Sequence, residues 1–112
     1  MTYTTIMLAR GRNEDTPAQA IRCGRFAVHA SDGSPLKLWP KDAWYVVSHV
    51  ATGYMLCALP GRDKARALAG AFDKALGTPD ITRADFDGAW SDHYRAFIAR
   101  ARSIAKEHGV GR

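Results

Sequence analysis

The side chains best suited to acid–base or metal chemistry in this chain are four histidines: His29, His49, His93 and His108. They lack the helical i, i+4 spacing of a zinc site, and no Cys-x-x-Cys pair accompanies them. A histidine acts as a general base only where an orienting carboxylate and a nucleophile converge on it. The sequence around His49 contains no such grouping. We therefore predict no catalytic residue.

Cys23 and Cys57 lie outside any motif for nucleophilic catalysis. Two thiols cannot form the dense disulfide framework of a small secreted domain, so we expect two reduced cysteines. A single bridge between them is the alternative. Cys57 belongs to an apolar run and is expected to be a small core residue.

Four aspartates near the start of the last predicted helix are the remaining candidates for a metal site: Asp80, Asp85, Asp87 and Asp92. Their spacing is not that of a calcium-binding loop, which also needs a glycine at a fixed position. Acidic residues in the first turns of a helix interact favourably with its dipole. We therefore predict no bound metal and no cofactor.

Composition limits the class of protein. A chain of 112 residues, 46% hydrophobic and 24% charged, is sufficient for one globular domain over residues 1–112. Its longest apolar run, 43–59, contains polar residues and is shorter than the roughly 20 residues of a membrane-spanning helix. The first residues lack the basic and apolar regions of a signal peptide. We therefore expect a cytoplasmic protein without a membrane partner.

The formal net charge of +5 favours an anionic partner. The excess is concentrated in residues 93–112, which hold five arginines and lysines against one glutamate. No phosphate-binding glycine loop, dinucleotide fingerprint or RNA-binding aromatic motif is present. Charge therefore points to an anionic partner without naming one.

The first half of the chain has the composition of β-strands. Residues 3–9 and 25–30 are rich in β-branched, aromatic and apolar side chains and are followed by turn-forming segments. Residues 16–22 are ambiguous, since Thr16 followed by Pro17 would suit the start of a helix. A short helix and an irregular loop both stay open for this segment.

Residues 44–59 predict a central hairpin. Alternation with period two separates Trp44 and Val46 from Tyr45 and His49, and Gly53 is free to adopt the positive φ that a reversal needs. One face is expected to pack against the helices: Trp44, Val46, Met55, Cys57 and Leu59. The other face, with Tyr45, His49 and Tyr54, is expected to point outward.

The second half predicts two helices, over about 62–76 and 83–108, each with its apolar residues on one arc. Gly88 costs up to about 1 kcal/mol relative to alanine in a helix, so a break near this residue is the alternative to a continuous second helix. Strands followed by helices predict an α+β fold, with an antiparallel sheet of three to four strands and both helices on one face.

Two surfaces are candidates for binding. An open apolar sheet face commonly marks an interface, and its predicted partner-binding residues are Tyr45, His49 and Tyr54. A basic stripe on the last helix would bind phosphates of a nucleic acid with salt-dependent affinity. The simpler alternative is a solvated face whose positive charges interact favourably with the helix dipole. The predicted nucleic-acid-binding residues are Arg62, Arg66, Arg95, Arg102 and Lys106.

These features together favour a small non-catalytic binding protein that docks on a protein or nucleoprotein partner. Inhibitors of host defence complexes that phages and mobile elements carry, anti-CRISPR proteins among them, act in this way. Direct binding of DNA or RNA through the basic stripe is the alternative. An apolar open face is also compatible with a homodimer.

Overall fold

A computed structural model of the chain describes residues 3–9, 15–51, 53, 55–76 and 92–109. Within these residues, five strands form one antiparallel sheet in chain order. They are β1 (Tyr3–Ala9), β2 (Asp15–Cys23), β3 (Phe26–Ala30), β4 (Trp44–His49) and β5 (Met55–Pro60). The helices are α1 (Arg62–Leu76) and α2 (Asp92–Glu107), and a 3-10 turn spans Leu36–Leu38. The predicted α+β fold is confirmed, with five strands instead of three or four.

The ambiguous segment 16–22 is part of strand β2 and is neither a helix nor a loop. Strand β2 pairs with β1 from Asp15, opposite Ala9, to Ile21, opposite Tyr3. Strand β3 joins β2 only from Ala20 onward. Pro17 therefore lies where β2 has one neighbour, a position where a missing backbone N–H is tolerated. Pairing between strands overrides the local helix-start signal.

The predicted central hairpin is confirmed as the β4–β5 pair. Its turn contains Gly53, which has φ 75° and whose N–H donates to the carbonyl of His49 at 2.8 Å. The pairing is irregular between Val47 and Ser48, where β5 carries one extra residue. Such a bulge changes which side chains of β5 share a face with those of β4.

Both helices contribute to one core on one face of the sheet, called here the helix-covered face. Phe72 of α1 and Phe97 of α2 are buried in this core with Phe26, Tyr45 and other side chains of β2 to β5. The predicted helix over 62–76 is confirmed. Residues 92–107 of the predicted second helix are helical. Its expected start near residue 83 and the question of a break at Gly88 lie outside the described residues.

The opposite side of the sheet, called here the far face, is also buried over β1 to β3. Ile6, Leu8, Ala18, Ala20 and Ala27 form a second apolar cluster there. His29 and Ser48 are fully buried on the same face. The expectation that the second face is open is therefore wrong at its centre. Each edge strand still exposes one face: Tyr3 and Met7 of β1 on the helix-covered side, Met55 of β5 on the far side.

Candidate functional site

The predicted partner-binding residues of β4 do not reach the surface. Tyr45 and His49 are 0% and 2% exposed and lie beneath the helices. The tyrosine hydroxyl donates to the carbonyl oxygen of Pro40 at 2.9 Å. The expectation that these side chains face outward is wrong, and contact with a partner through them would require the core to open. Tyr54 lies outside the described residues.

The error comes from the register of the hairpin. Both faces of β4 are apolar, so alternation separates the two sets without saying which set faces the helices. Tyr45 pairs with Leu59 and Val47 with Cys57, which places these four on the helix-covered face. Cys57 and Leu59 thus lie on the predicted side, whereas Met55 lies opposite Ser48 on the far face beyond the bulge. Side chains alternate along a strand, so Trp44 and Val46 point away from the helices. An error of one residue in the register therefore reverses every assignment of a side chain to a face.

His49 is part of an aromatic cluster. Its ring centroid lies 5.3 Å from that of Phe26 and 6.0 Å from that of Phe97. Burial lowers the pKa of His49, and the nearby charge of Arg25 lowers this pKa further, because both disfavour a second positive charge. The neutral ring is thus a packing group of the core.

The second buried histidine forms a pair that the sequence does not reveal. His29 Nδ1 lies 2.8 Å from the carbonyl oxygen of Ala30, so this nitrogen carries the proton in the neutral ring. Ser48 Oγ lies 2.7 Å from His29 Nε2 and can donate its proton to it. A hydroxyl and a base at this distance resemble an activated nucleophile. Neither residue has any exposed surface, so no substrate reaches the hydroxyl and the pair is a polar contact within the core.

The cysteines are not poised for nucleophilic chemistry. Burial raises the pKa of the Cys57 thiol to about 11, and burial also raises the pKa of Cys23 against the opposing charge of Arg66. Thiolate is the reactive form, so both groups are protonated thiols at neutral pH. Within the described ranges both cysteines are free, and no group of three or more potential metal ligands is arranged to hold an ion.

An exposed apolar surface does exist, on the part of the far face that β4 and β5 form. We call it the apolar strip and define it by four uncharged side chains: Trp44, Met55, Ala58 and Pro60. Trp44 lies directly opposite Pro60, and Ala58 lies opposite Val46 in the next far-face row. Trp44 is 55% exposed and Met55 is 43% exposed, and Ala58 and Pro60 are exposed as well. This strip replaces the predicted face of Tyr45 and His49 as the candidate docking surface.

The backbone behind Trp44 is held in place by two hydrogen bonds. Its carbonyl oxygen accepts from the Trp39 indole at 2.9 Å and from the Ser31 backbone N–H at 3.3 Å. An aromatic ring on a fixed backbone loses little conformational entropy on binding. Trp44 therefore has the properties of an interface anchor.

Cationic side chains border one end of the apolar strip. Pro60 shares an open hollow of about 320 Å³ with three cations, Lys41, Arg62 and Lys64, and with two carboxylates, Asp42 and Asp63. Lys41 Nζ lies 3.3 Å from a carboxylate oxygen of Asp63, and both side chains are mostly exposed. Exposed ion pairs of this kind contribute little to stability, so these charges are available to a partner.

The predicted basic residues occupy separate places. Arg102 and Lys106 are exposed on α2, as predicted, while the side chain of Arg95 lies outside the described side chains. Arg62 lies beside the hollow at the start of α1. Arg66 lies near Cys23 at the end of β2. Arg102 and Lys106 are thus the described members of the predicted stripe, and Arg62 and Arg66 lie on α1.

Two exposed arginines at the β2–β3 turn, Arg22 and Arg25, were missed as candidates, although the run "RCGR" around a turn glycine is a signal for them. Arg22 lies opposite Ala27 of the far-face cluster and therefore points away from α1, whereas Arg66 lies near Cys23 on the helix-covered side. The turn is anchored to α1 because the backbone N–H of Arg25 donates to Asp73 Oδ1 at 2.9 Å. Gly24 has φ 66°, and a Cβ there would overlap the Asp73 carboxylate.

Comparison with known proteins yields no match: no family model fits the chain, and no curated protein or solved structure is significantly similar to it. Over the described ranges, no helix has the length and apolar character needed to cross a membrane. Function therefore has to be inferred from the surfaces of this molecule.

Proposed function

We propose that this chain is a non-catalytic binding protein that docks on a nucleoprotein partner through the apolar strip. The observation that carries the proposal is the exposure of Trp44 and Met55 on one uncharged surface beside cationic side chains. Large aromatic residues and methionine are enriched in the centres of protein interfaces, with charged residues at the rim. An inhibitor of a host defence complex, of the anti-CRISPR kind, would bind in this manner.

The charges around the strip favour a partner with an anionic surface. Lys41, Arg62 and Lys64 outnumber Asp42 and Asp63 at one end of the strip, and the chain as a whole has a formal net charge of +5. Charge complementarity of this kind increases the rate of association and helps to select the partner. A protein complex that carries nucleic acid offers both an apolar site for Trp44 and phosphates for the cations.

The test is affinity capture from the native host with wild-type protein and two matched variants. Trp44→Ala removes the proposed anchor, while Leu38→Ala removes another exposed apolar side chain, on the 3-10 turn. We expect Trp44→Ala to lose the captured complex and Leu38→Ala to retain it. Nuclease treatment of the captured material then shows whether it contains nucleic acid. Equal capture by both variants, or a partner without nucleic acid, would contradict the proposal.

Direct binding of nucleic acid is a second candidate, which the exposure of Arg102 and Lys106 on α2 favours. Residues four apart on a helix lie on one face, so their charges can contact neighbouring phosphates. The arginines of the β2–β3 turn add a second cationic surface. Among the side chains that the structure describes, neither surface holds an exposed Phe, Tyr or Trp, so this candidate predicts weak sequence preference.

Fluorescence anisotropy with a labelled DNA or RNA oligonucleotide tests this second candidate across a salt series. Affinity should fall steeply with salt, and Arg102→Glu should flatten the salt dependence by about one phosphate contact. Lys37→Glu makes the same change of charge on the 3-10 turn and should leave the slope nearly unchanged. An absence of binding at low salt would rule out this candidate.

A further inference from the structure

The outer edge of β1 is a candidate pairing site of the sheet. β1 is the terminal strand, and its seven residues pair with β2 without interruption from Tyr3 to Ala9. Over the part of the chain that the structure describes, no element pairs with its other edge. A strand in this position presents a row of backbone N–H and C=O groups at regular spacing.

β1 lacks the features that usually protect an edge strand. Its sequence, YTTIMLA, contains no charged residue, no proline and no glycine, and natural edge strands commonly rely on lysine, proline, a bulge or a short length. The other terminal strand has two of these features, since β5 ends at Pro60 and its pairing is interrupted between Val47 and Ser48. The two edges of the sheet are therefore not equivalent.

We propose that β1 pairs antiparallel with β1 of a second copy of this chain, which joins the two sheets around a two-fold axis. A row of unpaired backbone groups selects an extended polypeptide segment as its occupant. A second copy fits because antiparallel pairing centred on Ile6 uses all seven residues and places Thr5 opposite the partner's Met7 on the exposed face. The contact is isologous, so it closes as a dimer and does not extend into a fibre.

Charge supports a second copy at this position. Each molecule has a net charge of +5, which opposes association of two copies through their basic surfaces. Strand β1 is uncharged, and its neighbours Pro17 and Gln19 on the same face of β2 are uncharged as well. Two copies can thus approach along β1 without bringing cations directly together.

The size of the contact sets the expected strength of the dimer. Seven residues at about 3.4 Å each give a strip about 24 Å long and one sheet, about 10 Å, thick. Tyr3 and Met7, 36% and 48% exposed, add apolar area on one side. The area that each partner buries in this contact is less than the roughly 800 Å² of a standard stable interface. The dimer should therefore dissociate on dilution.

Sedimentation velocity of the full chain from about 1 µM to about 500 µM tests the proposal. We expect a monomer at the low end and a reversible dimer at the high end. Thr5→Lys places a charge on the exposed face of β1 and should shift the midpoint to at least tenfold higher concentration. Thr5→Val is the matched control, and it should dimerise at least as well as the wild type, since valine favours strands.

Two further measurements keep the result unambiguous. A urea denaturation curve for each variant verifies that Thr5→Lys leaves the monomer folded, which is expected because Thr5 is exposed. Trp44→Ala separates this proposal from docking through the apolar strip, since it should leave the dimer unchanged. A monomer at every concentration, or a dimer that Thr5→Lys does not weaken, would overturn pairing through β1.

Discussion

The central strands β3 and β4 and the edge strands β1 and β5 have similarly apolar sequences, yet they differ in what their side chains contact. Every residue of β3 is buried, and so is every residue of β4 after Trp44. Each edge strand buries one face and exposes the other: β1 exposes Tyr3 and Met7, and β5 exposes Met55 and Ala58. Apolar composition alone therefore does not separate residues that stabilise the fold from residues that are available to a partner.

This comparison assigns different roles to the two regions. Substitutions in the central strands should lower the free energy of unfolding, because the side chains there are buried. Substitutions on the exposed faces of the edge strands should change binding or dimerisation at little cost in stability. The following predictions test this division, beginning with the largest effect.

The sharpest test uses two neighbouring aromatic residues of β4. Tyr45→Ala removes a fully buried ring and should lower the free energy of unfolding by about 3–5 kcal/mol, as for other large core side chains. Trp44→Ala removes a larger ring that is 55% exposed and should cost about 1 kcal/mol or less. Urea denaturation measures both. Similar losses for the two variants would contradict the division.

The anchor between the β2–β3 turn and α1 should give the next largest effect. Gly24→Ala forces a side chain into a positive φ and against the Asp73 carboxylate, and should cost about 2–4 kcal/mol. Gly70→Ala is the matched control because a Cβ there meets nothing within 4 Å. On α1 this second change should stabilise the protein by up to about 1 kcal/mol. Thermal melting should show a lower melting temperature for Gly24→Ala and an unchanged or higher one for Gly70→Ala.

Removal of the buried hydroxyl on the far face should have an intermediate effect. Ser48→Ala takes away the hydroxyl 2.7 Å from His29 Nε2, and the loss of one buried hydrogen bond costs about 0.5–1.5 kcal/mol. Ser103→Ala, at an exposed position of α2, should change stability by less than about 0.5 kcal/mol. If chemical denaturation shows equal stability for the two variants, the contact to His29 has no net value in the core.

His49 predicts a smaller effect that depends on pH. Its pKa is lowered in the folded protein by burial and by Arg25, so the unfolded chain binds a proton more readily than the folded one. The contribution of the neutral ring to stability is fully present above the pKa of His49 in the unfolded chain, near 6.5. It is lost as the pH falls through the pKa of His49 in the folded protein. One such group changes the free energy of unfolding by at most about 1.4 kcal/mol per pH unit.

His49→Phe isolates this contribution because it keeps an aromatic ring beside Phe26 and Phe97. Denaturation curves from about pH 8 to about pH 5 should show that the wild type loses more stability than the variant below about pH 6.5. Parallel curves for the two proteins over this range would mean that His49 is not kept neutral by the core.

Much of the architecture could be predicted from local patterns. The bounds of α1 and the strand over 3–9 follow from periodicity and from turn residues, because these signals depend on neighbours close in sequence. Segment 16–22 could not be assigned in the same way. Its strand conformation comes from pairing with β1 and β3, whereas the local signal of Thr16 and Pro17 is that of a helix start.

The candidate site could be predicted only in part. The sequence indicated an apolar hairpin face and exposed cations on the last helix, and Arg102 and Lys106 are exposed. It placed Tyr45 and His49 on the wrong side, because both faces of β4 are apolar and the register depends on a bulge. It also could not place Arg25 beside α1, since the contact between the Arg25 backbone N–H and Asp73 joins residues far apart in the sequence.

The sequence by itself determined that strands precede two helices, the excess of positive charge, and the absence of recognisable catalytic spacing among the histidines and cysteines. These properties are local or additive, so they can be read without knowledge of the fold. Only the tertiary structure decided which face of each strand is covered. A shift of one residue would put Tyr45 at the surface and Trp44 in the core. Long-range packing against α1 and α2 sets the arrangement observed, in which Tyr45 is buried.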